Sequence, residues 1–209
     1  MNKLINFFFN SQIIKTYNRN LNLNGFTPLG LFWNSKKSQY DRFDTLLFLI
    51  MKFKFKNQLR ISDIGCGYGS LLAYLREKKI NFYYSGYDIN KNLIKHCIKN
   101  YPETFFKVSY FPTEFTDITI ASGTYNYTAT DNVKIWEEYI IFNLKKCMAK
   151  SKLGLIFNLQ FTKKESFIKN NIYYTNIDFM LNKLKKEFSK VTKFYSTKSL
   201  NDIYFIILK

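Results

Sequence analysis

Two kinds of hydrophobic pattern alternate along the chain. Short runs rich in β-branched and aromatic residues occur at 60–64, 83–88, 104–108, 118–122, 154–159, 191–195 and 203–208, and each reads as a strand. Between them, apolar positions recur every three or four residues at 71–78, 91–100, 133–148 and 177–188, the period of a helix with one buried face. Two further helices come first. One covers about residues 3–17, and another runs from a Ser35 N-cap to about residue 51, burying Tyr40, Phe43, Leu46, Leu47 and Ile50. Regular strand–helix alternation predicts an α/β protein with a mostly parallel, doubly wound, seven-stranded sheet covered on both faces. The last two strands are joined by a short loop, so they are expected as an antiparallel C-terminal hairpin at one sheet edge. The expected organisation is an N-terminal helical cap at 1–57 and a core at 58–209, together one compact domain.

In the first helix, apolar residues at 4, 5, 8, 9 and 13 fit one face, which predicts a docking helix. The run Leu4 to Phe9 contains Asn6 and lacks a small-residue cleavage site, which argues against a secretory signal. No apolar run reaches the roughly 18 residues that cross a bilayer, so membrane insertion is not expected. Residues 21–34 read as a loop punctuated by Gly25, Pro28 and Gly30.

Charge changes the picture less than its size suggests. Lys and Arg number 32 against 15 Asp and Glu, a formal +17. Such an excess suits an anionic small molecule or RNA. The lysines are scattered, however, and Lys, Asn, Ile, Phe and Tyr are all abundant, as base-composition drift toward AT-rich codons produces. Three widely separated cysteines, Cys66, Cys97 and Cys147, fit neither a disulfide framework nor a metal site. They predict a reducing, cytoplasmic compartment.

The chemistry concentrates in Ile61-Ser62-Asp63-Ile64-Gly65-Cys66-Gly67-Tyr68-Gly69-Ser70. A strand runs into a turn whose alternate glycines permit positive φ and close approach to a ligand. The next helix then offers free backbone N–H groups. An acid two positions before the first glycine would repel a diphosphate but suits an ammonium. A second acid, Asp88, ends the next strand, where a carboxylate can accept both hydroxyls of a ribose.

These residues resemble the class I S-adenosylmethionine (SAM)-dependent methyltransferases, a Rossmann-like family, over nearly all of residues 58–209. The resemblance implies SAM as cofactor. Asp63, Gly65, Cys66, Gly67 and Gly69 would surround its methionine part, Asp88 would hold the ribose, and Ile89 would pack near adenine. The family often carries an acid after strand three that holds the adenine amine. Here Lys107-Val108-Ser109-Tyr110-Phe111 has none. The segment from Phe32 to Phe43, with Ala121-Ser122-Gly123-Thr124-Tyr125-Asn126, is also similar to a subgroup of small bacterial methyltransferases. That subgroup shares a W-x-S-x-x-S/A-Q-x-x-R-F helix and an A-S-G-x-x-N loop.

The acceptor should meet the methyl group beyond strand four, around Ser122 to Tyr127, where Tyr125 and Asn126 are the candidate catalytic residues. Ser122 lines the cofactor in the same reading. The loop is not an N-P-P-Y or D-P-P-Y motif and has no Pro-Cys pair, which argues against a nucleic-acid base as acceptor. Arg42 could bind the SAM carboxylate or an anionic acceptor, or form an exposed salt bridge with Asp41 or Asp44. Trp33 is either a lid or a core residue. Asn158 and Tyr174 are candidates for the substrate wall, while His96 falls too far along its helix to reach the chemistry. The expected function is methyl transfer to an oxygen or nitrogen of a small, anionic metabolite or sugar intermediate. The alternatives are a tRNA or rRNA methyltransferase and a non-catalytic SAM-binding protein.

Overall fold

The computed structural model describes every residue except 1, 2, 54, 56 and 57. The expected boundary at residue 57 therefore lies outside the described residues. Strands β1 (Arg60–Ile64), β2 (Tyr83–Asp88), β3 (Phe105–Val108), β4 (Thr116–Ala121) and β5 (Ser151–Thr162) form a parallel sheet in the order β3-β2-β1-β4-β5. β1 is central, and four of its five residues are buried. The winding reverses between β1 and β4, which opens a crevice beyond their carboxyl ends.

β5 carries two partners on its outer edge. Antiparallel β9 (Asp202–Leu208) pairs with it from Gly154 to Gln160, and β8 (Lys190–Tyr195) pairs with β9. These seven strands make the expected sheet and its antiparallel C-terminal hairpin. A further hairpin, β6 (Phe167–Lys169) and β7 (Ile172–Asn176), adds two strands where β5 runs past β9. The sequence reading stopped β5 at 159 and missed this hairpin, because β6 is only three residues long and carries no extended apolar run.

Helices cover both faces. Helices α2 (Lys36–Ile50), α3 (Ser70–Glu77) and α4 (Lys91–Asn100) pack one face through Leu46, Leu71, Tyr74 and Ile94. Helices α5 (Val133–Met148) and α6 (Ile177–Glu187) pack the other through Trp136, Leu144, Met180 and Leu184. The abundant Asn is put to use here: Asn90, Asn132 and Asn176 cap α4, α5 and α6 by accepting from backbone N–H groups. Ser35 caps α2 in the same way.

The link from β3 to β4 contains no helix, and α1 (Lys3–Asn24) covers that flank of the sheet instead. It is longer than the sequence predicts and buries a different face. Phe9 packs against Trp136 and Tyr139, whereas Leu4 is 71% and Phe7 72% exposed. Polar contacts set the register: Asn6 accepts from Asn143, Asn10 from Tyr139, Thr16 from Tyr127, and Asn18 from Asn90 and Asn92. Apolar residues lie nearly all round the first turns, so hydrophobicity alone could not choose the face.

Phe9 is the main apolar anchor of α1. Phe9→Ala should lower unfolding free energy by about 3 kcal/mol and expose α1 to limited proteolysis ahead of the sheet. Denaturant titration and protease mapping check this.

Candidate active site

The glycine turn is fixed by hydrogen bonds to the neighbouring strand. The Gly65 and Cys66 N–H groups donate to the Tyr87 carbonyl at 2.7 and 3.1 Å, and the Gly67 N–H donates to Asp88 Oδ2 at 3.0 Å. Gly65 and Gly67 have φ of +71° and +59°. A Cβ on Gly65 would meet Thr124 at 2.8 Å, and one on Gly67 would meet Leu31 at 2.4 Å. Glycine is therefore needed both for the turn and for what rests on it.

A cavity of about 180 Å³ opens beside this turn. Its lining includes Gly65, Gly67, Asp88, Ile89, Ser122, Asn126, Arg42 and Trp33. The sequence singled out all eight. A smaller void of about 30 Å³ adjoins it, sharing Leu31, Trp33, Gly65 and Ser122, and this void is bordered by Asp63 and Cys66.

Asp63 is not at the mouth of the main cavity. It lies buried beneath the turn, with Oδ2 accepting from the Tyr84 hydroxyl at 2.6 Å. Burial pushes its carboxyl up to about 7, the Tyr84 hydrogen bond opposes this, and the Asp88 charge adds to it. Asp88 accepts from Gly67 and Asn90 backbone N–H groups, and burial pushes it up to about 6. Two carboxylates thus flank one turn, both poised to titrate near neutrality.

The structure places several of the expected residues away from open cavity surface. Tyr125 borders the cavity but is almost wholly buried: its ring packs against Tyr139 and Phe157, its carbonyl accepts from the Trp136 indole, and burial pushes its hydroxyl far above the ordinary range. Asn158 is buried behind the site, where its Oδ1 accepts from the Gly123 N–H and its Nδ2 donates to Asp202. Tyr174 stacks on Phe167 in the β6–β7 hairpin, outside the cavity lining. Gly69 starts α3 against Tyr101 and Cys97, also outside that lining. The Cys66 and Cys97 thiols both point to the Gly67 carbonyl and stiffen the turn from behind.

Arg42 pairs with neither Asp41 nor Asp44. Its Nε lies 2.6 Å from Asp202 Oδ2, both side chains being largely buried, and its guanidinium sits 4.7 Å from the Trp33 ring. Trp33 in turn rests on Gly123, where a Cβ would come within 3.0 Å of the indole. Trp33 therefore covers the Gly123 loop and is linked to it again through Arg42, Asp202 and Asn158. Asn126 accepts from the Gln160 N–H, and its amide nitrogen makes no hydrogen bond among the described residues. His96 stacks on Phe26, away from the cavity.

Sequence reasoning missed the far wall: Ile13, Ile14 and Tyr17 of α1, and Tyr139 and Asn143 of α5. The polar face of α1, with Asn6 and Asn10 one turn apart, was the signal available.

The fold is that of SAM-dependent methyltransferases. A solved methyltransferase of this kind from Leishmania major matches 94% of this chain and 82% of its own, with TM-score 0.69 and 12% identity. Magnesium protoporphyrin IX methyltransferase from Synechocystis, solved with bound S-adenosylhomocysteine (SAH), matches 83% of this chain and 84% of its own, with TM-score 0.57 and 13% identity. In sequence, a Mycobacterium tuberculosis protein provisionally named a methyltransferase is 27% identical over 135 residues, spanning 62% of this chain and 81% of that protein. No protein-family model matches the chain.

The raised Asp63 has a stability consequence with a definite sign. Its folded value of about 7 stands above the ordinary 3.8. Its contribution to stability is therefore fully present below pH 4 and is lost as pH rises through 7. Asp63→Asn, which can still accept from Tyr84, removes that loss. The variant should gain on the parent between pH 5 and pH 8, with the difference in Tm widening by roughly 5 °C. Thermal melts across that range measure it.

Proposed function

We propose that this chain is a SAM-dependent methyltransferase acting on an oxygen or nitrogen of a small, anionic metabolite or sugar intermediate. The observation that carries the reading is the pair of buried carboxylates on either side of the glycine turn. The residues fit the cofactor. Asp63 Oδ1 makes no hydrogen bond among the described residues and borders the void beside Gly65 and Ser122, which suits an ammonium. Asp88 lines the main cavity, where its remaining lone pairs suit ribose hydroxyls. Bound SAM would supply an electrophilic methyl group on a sulfonium.

The chain's own part is positioning. The Asn126 amide nitrogen orients the acceptor, and the Asp202–Asn158 relay holds the Gly123 turn beneath it. Among the described lining residues there is no histidine, Arg42 is already paired, and burial raises the hydroxyls of Tyr17 and Tyr139. With no neutral-pH base besides Asp88, acceleration comes from near-attack geometry. An acceptor arriving as a neutral amine or an ionised oxygen needs nothing more.

The N-terminal helices act as a cap on the core in this reading. They cover the cavity with α1, Phe32 and Trp33, which favours a compact acceptor over a nucleic-acid strand. The basic surface would draw an anionic acceptor inward. We assign the chain to the small bacterial subgroup because Ser35, Gln39 and Arg42 each serve the lid: as cap of α2, as partner of the Tyr68 hydroxyl, and as support of Trp33. A cytoplasmic setting accords with three buried free thiols. No helix among the described residues is long and apolar enough to cross a membrane.

Screening acceptors for SAM-dependent SAH release tests the reading. Asp88→Ala should weaken SAH binding by about 100-fold, the worth of two hydrogen bonds to a charged group. Asn126→Ala should lower kcat/KM at least roughly tenfold with SAH affinity unchanged. Turnover only on RNA, falling steeply with salt, would replace the small acceptor by RNA. Cofactor binding with no turnover on any acceptor would leave a silent SAM-binding protein.

A further inference from the structure

Helix α1 is apolar on two sides, and one of them faces away from the protein. Its inner arc carries Phe9 in the core, the hydrogen-bonded Asn6 and Asn10, and Ile13, Ile14 and Tyr17 in the cavity wall. Its outer arc carries Phe7 and Phe8, 72% and 56% exposed, with Leu4 and Ile5 exposed beside them. A contiguous apolar patch on a surface helix marks a place where something docks.

Charge selects the occupant. The first 40 residues contain no Asp or Glu. Lys15 and Arg19 are exposed two and three turns beyond Phe8 on the same arc, and Lys3 is exposed just before Leu4. None of these three cations forms an ion pair among the described residues. A second copy of the chain is a poor occupant, because each copy carries +17 and α1 adds only positive charge to the contact. An RNA strand would meet Lys15 and Arg19, but the aliphatic Leu4 and Ile5 give its bases no stacking platform. The boundary between acyl chains and anionic headgroups suits both features at once: apolar side chains enter it, and cationic ones meet phosphate or carboxylate.

We propose that α1 docks the protein on an anionic lipid surface, with Ile5, Phe7 and Phe8 entering the acyl boundary and Lys3, Lys15 and Arg19 meeting the headgroups. The helix lies on the surface and does not cross it. The proposal stands apart from the cofactor reading, since the outer arc of α1 takes no part in the cavity. The two are nevertheless joined through one element. On its inner arc the same helix forms a cavity wall with Ile13, Ile14 and Tyr17, so a surface that holds α1 also steadies that wall.

Co-sedimentation of the full chain with phosphatidylcholine vesicles, with and without about 30% phosphatidylserine, tests this. The parent should partition roughly tenfold more strongly onto the anionic vesicles. Phe7→Ser combined with Phe8→Ser should lower that partition about tenfold with Tm unchanged, because both rings are exposed. Lys15→Glu combined with Arg19→Glu should lower it by about as much. Lys185→Glu combined with Lys186→Glu is the control for a general pull of the +17 charge, since both are exposed on α6, which packs on β7 and β8. That pair should change the partition by less than about threefold. No preference for anionic vesicles in the parent would overturn the proposal, whatever the variants do. Undiminished partition in the folded phenylalanine variant would overturn it, as would an equal loss on reversing the α6 pair. A stable dimer in vesicle-free solution that the phenylalanine substitutions break apart would assign the patch to a second copy instead. RNA that displaces the vesicles and is lost with the same substitutions would assign it to RNA. Either result overturns the proposal.

Discussion

Two acidic side chains are held, largely buried, next to one glycine turn. The turn cannot move away, because its first three N–H groups are tied to the end of β2, two to the Tyr87 carbonyl and one to the Asp88 carboxylate. β1 and β2 are paired in parallel up to that point, so sheet register fixes the spacing of Asp63 and Asp88. Burial raises both, and the Asp88 charge raises Asp63 further. The free chain therefore stores unfavourable electrostatics that a ligand bringing an ammonium and hydroxyl donors would relieve. That cost is the expected signature of a binding site that gives up stability for affinity.

The remainder of the structure encloses this turn. Trp33 lies on Gly123 and Leu31 on Gly67, so both loops need glycine because these side chains touch them. α2 is joined to β9 through the buried Arg42–Asp202 ion pair. Removing Asp202 would leave Arg42 buried and unpaired, which is far costlier than never having had the pair. Through Asn158 the same carboxylate reaches the Gly123 N–H, so the last strand of the chain helps shape the loop after β4. α1 is held differently, with one ring in the core and a row of Asn and Thr contacts. Such a strap can release and re-form at lower cost than a fully apolar interface.

How much of this was legible in the sequence depends on how local each signal was. Strands β1 and β2 and helices α4 and α5 were readable to the residue, because β-branched and aromatic positions marked the strands and helix-period apolar positions the helices. Asp88 and the glycine turn stood out because their chemistry is set within a few residues. Asp63 stood out by its place two positions before the first glycine, but its burial beneath the turn was not legible, since the Tyr84 hydroxyl that it accepts from lies on a different strand. The partner of Arg42, at position 202, could not be seen for a similar reason: two strands and a hairpin bring it there. That the Tyr125 ring would pack on Tyr139 and Phe157 was not legible, because those partners come from α5 and β5. The α1 face was lost in a composition so rich in Phe, Leu and Ile that apolar periodicity carried little information there.

The claim that binding ionises the two carboxylates has a direct measure. Calorimetric titration of SAH at pH 6.5, repeated in buffers of different ionisation enthalpy, counts the protons exchanged. With Asp63 and Asp88 at about 7 and about 6 in the free chain, binding should release about one proton per chain. Binding with no proton released would contradict the account.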